Sequence, residues 1–159
     1  MADFPDSRRD LLVQGFKGLH PIGALIDGQA ATAPEAPGVF VVCRLAEVPA
    51  RFATANTAGK WKGQDPTLPV ELLKEAWHPE AALLFVGGGA NLRQRLRLFL
   101  DFGGGKAVAH WTGRALWQLS DAEDLIVGWR PGDPKGDALA LSQAFEARFG
   151  TPPWANALD

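Results

Sequence analysis

The chain has 159 residues, 47% of them apolar and 21% charged, the make-up of one globular domain with its own core. Its formal net charge of −2 excludes a whole-molecule basic field, so any nucleic-acid surface has to be a local patch. The single cysteine, Cys43, excludes an internal disulfide, and with no leader-like segment and no long apolar run the expected setting is a reducing cytoplasm, with no membrane partner.

In chain order, "FPDSRRDLLVQGFKGL" predicts a short amphipathic helix with Asp6 or Ser7 as N-cap. "DGQAATAPEAPG" at 27–38 reads as a loop. Residues 1–36 are therefore expected to be a helical extension and loop ahead of a domain spanning 37–159. "VFVVCRL" reads as a strand, rich in β-branched and aromatic residues. Residues 45–68 are expected to be irregular and carry the basic stretch "GKWKG". "PVELLKEAW" opens on Pro69 and keeps helical periodicity. "AALLFVG" is a short apolar run, expected to be a central strand buried on both faces.

The next segment turns helical. Leu92, Leu96, Phe99 and Leu100 form an apolar stripe. At about 100° per residue, Arg93 and Arg95 sit on opposite shoulders of it and Arg97 points further toward solvent. "FGGGK" ends this helix. "AVAHWTGRALWQL" is ambiguous between strand and helix, "DLIVGWR" reads as a strand, and "DPKGDALALSQAFEARFG" as a last helix closed by Gly150. The expected architecture is a single small α/β domain, its central sheet mixed or mostly antiparallel and flanked by helices.

Several chemistries can be weighed from these residues. Gly87, Gly88 and Gly89 between strand and helix allow a phosphate cradle, but Ala90 and Asn91 stand where a P-loop needs its Lys-Ser/Thr pair. A plain tight turn is the better reading. His20, His78 and His110 have no metal-ligand spacing. Cys43 with His110 makes a conceivable thiol–imidazole pair, though a lone cysteine in an apolar strand is more often core. His110 titrates near neutrality, with Lys106 and Arg114 on either side of it for phosphates. Trp61 between Lys60 and Lys62 is a candidate nucleic-acid grip or a solvated loop, and Trp111 and Trp117 can stack on bases or fill the core.

"GVF" at 38–40 and "FVG" at 85–87, followed by "NLRQRLRLFL", resemble the paired motifs and arginine helix of the GIY-YIG nuclease superfamily. The helix arginine of that family falls eight residues past the second motif's glycine, here from Gly87 to Arg95. "FGGGKAVAHWTGRALWQL" and the closing "FGTPPWAN", ending at Asn156, resemble further family segments, so that the likeness spans about residues 37–157. It implies Arg95 on a phosphate, motif tyrosines in proton transfer and a glutamate-held divalent metal, Mg or Mn. Here Phe40 and Phe85 replace the two tyrosines, and Phe99 stands where many members carry another. Phenylalanine keeps the ring and loses the hydroxyl. The expected carboxylate aligns near Ala138, leaving Asp137 or Glu146 as substitutes.

The resemblance therefore implies a DNA- or RNA-directed domain that hydrolyses slowly or not at all. The alternatives are an active metal-dependent endonuclease with altered acid–base residues, and a protein-interaction module that uses a tryptophan-rich surface. A basic patch including Arg93, Arg95 and Lys106 is expected to carry nucleic-acid binding.

Overall fold

The computed structural model describes residues 4–159. They form one α/β domain built on a four-stranded sheet of order β1-β4-β2-β3, antiparallel throughout.

The chain starts with α1 (Arg8–Val13), capped by Ser7, whose side chain accepts from the Asp10 amide at 3.1 Å. Asp10 in turn accepts from the Asp6 amide at 2.9 Å, so one orphan donor of the first turn and the amide just ahead of the cap are satisfied locally. β1 (Lys17–Pro21) follows and pairs with β4. The N-terminal segment is thus more than the helical extension and loop expected, because it supplies an edge strand. Phe4, Leu11 and Phe16 are buried in one core and Ile22, Leu25 and Ala33 in the other. α2 (Ile22–Ile26) leads through a short 3-10 turn to β2 (Gly38–Cys43), α3 (Val70–Glu75) and β3 (Leu83–Gly89). Then come α4 (Leu92–Gly103), β4 (Ile126–Pro131), α5 (Pro134–Phe149) and α6 (Trp154–Ala157).

Alternation along β2 makes two cores. Phe40 and Val42 point to the α4 face; Val39, Val41 and Cys43 point to the α5 face. On the first face α4 buries Leu92, Leu96 and Phe99, each worth roughly 1.5–3 kcal/mol of burial. On the second, Leu141 and Phe145 of α5 pack with Phe4, Leu11 and Phe16. β2 is the strand that lies fully inside, every residue of it buried.

β3 is an edge strand, not the central one its apolar run suggested. Its two faces are still covered, since Leu83 through Val86 are all buried. A bulge shifts the pairing from Val42↔Phe85 to Cys43↔Leu83 and puts both Leu84 and Phe85 in the α4-side core. The free edge is occupied by Asn156, whose side chain accepts from the Val86 amide and donates to the Val86 carbonyl, both at 2.9 Å. One carboxamide thus mimics a neighbouring strand and blunts the edge. Trp154, 1% exposed, anchors α6 there by donating from Nε1 to the Leu73 carbonyl at 3.0 Å.

The ambiguous stretch 107–119 is neither strand nor α-helix but a loop ending in a 3-10 turn at Arg114–Gln118. No helix is long and apolar enough to cross a membrane among the described residues.

Candidate functional site

The strand–turn–helix of β3 and α4 places the site. Asn91 caps α4 by accepting from the Gln94 amide at 3.1 Å, which fixes where the helix begins and so where Arg95 emerges. The arginine lies along the end of β3: a Cβ at Gly89 would stand 3.3 Å from the Arg95 Cβ. At Gly87 a Cβ would stand 2.6 Å from the Phe40 ring. Gly87 and Gly89 are therefore explained by close approach of side chains to the strand, and Gly88 by the backbone carbonyls of Gly38 and Pro134, which a Cβ would meet at 3.0 and 3.2 Å, not by a phosphate loop.

Beneath the polar groups lies an aromatic cluster. The Phe40, Phe85 and Phe99 rings are 5.4 to 6.3 Å apart between centroids and at most 1% exposed. Where the resemblance expects hydroxyls there is closed apolar packing. The loop 107–113 then folds over α4. His110, 4% exposed, packs against the Phe99 and Phe102 rings at 5.9 and 5.4 Å. Gly113, with φ 78°, brings the backbone to the Phe85 ring, where a Cβ would stand 3.2 Å away.

These contacts gather Arg95, His110 and Thr112 beside the cluster, with Arg114 following on the same loop. Arg95 Nη2 donates to Thr112 Oγ1 at 3.4 Å. His110 Nε2 lies 2.9 Å from the Thr112 carbonyl. A carbonyl only accepts, so Nε2 carries the proton and Nδ1 keeps its lone pair. Burial and the Arg95 guanidinium push the His110 pKa down to about 4, so the ring is neutral at pH 7. Burial also lowers the Arg95 pKa. The Arg114 guanidinium stacks 5.1 Å over the Trp111 ring. Arg95 Nε, Arg114 Nε and His110 Nδ1 are buried with no hydrogen-bond partner among the described residues. Each such buried polar atom without a partner is costly to the fold.

No carboxylate forms an ion pair with Arg95 among the described residues. An acid that does meet the loop over the cluster is Asp159, which sequence reading missed. Its side chain accepts from the Gly113 amide at 2.8 Å. Burial raises its pKa to about 6, against the opposing pull of the Gly113 hydrogen bond and Arg114. It sits past the last recognisable motif, and only the closure of α6 onto β3 brings it near, so nothing in the sequence marked it.

The other expected site residues lie elsewhere. Arg93 donates to the Ala33 carbonyl and to Glu35, both at 2.8 Å, which ties α4 to the loop before β2. Lys106 pairs with Asp101 at 3.4 Å. The single patch of Arg93, Arg95 and Lys106 is therefore split. Arg93 and Lys106 line a hollow together, while Arg95 projects from the other shoulder of the helix. Lys60 and Lys62 are exposed on a turn closed by the Trp61–Gln64 bridge. That turn adjoins the Lys106 segment through Gly59, not the Arg95 cluster. Cys43 is buried in the α5-side core and His110 packs in the α4-side core, so the thiol–imidazole pair does not form. No tryptophan is fully exposed: Trp117, Trp129 and Trp154 are buried, and Trp61, Trp77 and Trp111 are half-buried.

Neither metal candidate reaches Arg95. Asp137 lies in the first turn of α5, its carboxylate against Gly132, on the helix that packs across the opposite face of the sheet. Glu146 is exposed on the same helix. Among the described residues no three His, Cys, Asp or Glu side chains converge to hold a metal. The donor set at Arg95 does not fit the divalent ion that the resemblance implies.

Comparison with known proteins gives no match to any family model, curated protein or solved structure.

Proposed function

We propose that the chain is a nucleic-acid-directed domain of GIY-YIG type that engages a phosphate of DNA or RNA through Arg95 and Arg114 and hydrolyses it slowly or not at all. The observation that carries this reading is that Arg95, which touches Thr112, and Arg114, two residues further along the same loop, have no ion-pair partner among the described residues. Guanidiniums without an acidic partner suit a phosphate. Proton transfer is the missing half. His110 is a weak base at a pKa of about 4, and Phe40 and Phe85 have no proton to exchange. Losing a general acid or base costs on the order of a hundred- to ten-thousand-fold in rate.

The test is cleavage of plasmid and of an RNA mixture, with magnesium or manganese present, by the wild type, Phe40→Tyr/Phe85→Tyr and Arg95→Ala. Little or no wild-type cleavage is expected. Robust wild-type cleavage lost in Arg95→Ala would overturn the degenerate reading.

One observation favours the second reading, a working endonuclease. Asp159 is a carboxyl with a pKa of about 6 beside Gly113, and so is poised to exchange a proton near neutrality. On that reading Asp159→Asn abolishes cleavage. On ours it leaves the low background unchanged.

A further inference from the structure

The hollow on the far shoulder of α4 goes beyond that reading. It has a volume of about 460 Å³, within the ordinary range for small-ligand sites. Its lining combines apolar Leu25, Ala30 and Leu100 with cationic Arg93, Arg97 and Lys106. Ile26 also lines it and is 52% exposed, a large apolar side chain left at the opening.

The charges are unevenly matched. Glu35 occupies Arg93 and Asp101 occupies Lys106. Arg97 has no acidic partner among the described residues. The hollow therefore holds one cation in excess, beside apolar wall. Arg97 and Arg95 are two residues apart, about 200° around the helix, which separates the hollow from the phosphate cluster.

We propose that this hollow is a second, independent binding site, for a small organic anion: a flat or compact apolar body carrying one carboxylate or phosphate. The apolar body covers Leu25, Ile26 and Leu100, and the anionic group faces Arg97, with Lys106 at hand. An extended polyanion suits the place less well. The cations converge on one concavity instead of following a ridge, and two of the three are already neutralised.

The experiment is a ¹H–¹⁵N NMR titration of the whole chain with naphthalene-1-carboxylate, with naphthalene-1-methanol and inorganic phosphate as comparisons. The carboxylate should shift the amides of Gly28, Ala30, Ala31 and Gly104. Both comparison probes should bind about tenfold more weakly, since each lacks half of the recognition. Arg97→Gln should weaken the carboxylate by about tenfold, and Arg95→Gln should leave it within about twofold. Equal binding of the neutral probe, an unaffected Arg97→Gln, shifts centred on Gly113, or no saturation by about 10 mM would each overturn the proposal. Because Arg95 is outside this site, failure here leaves the phosphate reading standing, and the reverse also holds.

Discussion

His110 and Asp159 give the polar cluster an acid response in which two terms oppose each other. His110 titrates at about 4 in the fold against an ordinary 6.5, so its neutral form stabilises the fold above pH 6.5. That contribution is lost as pH falls from 6.5 through 4. Asp159 is raised from 3.8 to about 6, so its contribution is present at low pH and is lost as pH rises through 6. Asp159 is an exposed residue, so solvent screens its share and the His110 term prevails. The urea midpoint of the wild type is therefore expected to fall between pH 7 and pH 4.5. Asp159→Asn should steepen that fall and His110→Phe should remove it. A wild-type midpoint that rises on acidification contradicts the assignment of a buried, neutral His110.

At the scale of elements, the long irregular segment between β2 and α3 is held by two amides. Gln118 is fully buried. Its Oε1 accepts from the Leu68 amide at 2.7 Å, and its Nε2 donates to the carbonyls of Leu68 and Ala53 at 2.9 and 3.0 Å. Asn56 donates to the Arg114 carbonyl at 2.8 Å and accepts from the Ala58 amide at the same distance. The loop is thus fastened to the turn that carries Arg114. Gln118→Leu keeps the bulk and leaves several backbone groups unmet, at a cost of about 2–4 kcal/mol. The expected result is a melting point lowered by roughly 5–15 °C, with protease cleavage concentrated in residues 52–68. An unchanged melting point would show that water satisfies those groups instead.

These same elements show what the sequence made legible. Periodicity gave β2, β3 and α4, because each is a local pattern: a β-branched run, a continuous apolar run, a stripe at helical spacing. It also placed Arg93 and Arg95 on opposite shoulders, yet the two were then grouped in one patch. The helix's own geometry already argued against that grouping. The edge position of β3 was beyond reach, since an apolar run covered by α4, α5 and Asn156 reads the same as a central strand. β1 was missed because Lys17–Pro21 has few strand-forming side chains and depends on pairing with β4. Asp159 and the Gln118 network were invisible because their partners lie 46 to 65 residues away.

For the whole molecule, the slight net negative charge and the small number of unpaired cations at each site predict weak binding dominated by a few contacts. α4 acts as a divider, with the Arg95 cluster on one shoulder and the mixed apolar and cationic hollow on the other. The central claim is that Arg95 and Arg114 together hold a phosphate. It is tested most directly by fluorescence anisotropy with a short single-stranded RNA and its DNA counterpart, over a series of salt concentrations, for the wild type, Arg95→Ala, Arg114→Ala and the double variant. The account predicts measurable wild-type binding at low salt that weakens with added salt. Each single variant should shallow the log–log salt slope by about 0.7, the share of one phosphate contact on a single strand, and the double variant should lose binding. Wild-type binding that survives unchanged in the double variant, or no binding of either strand at the lowest salt, would contradict it.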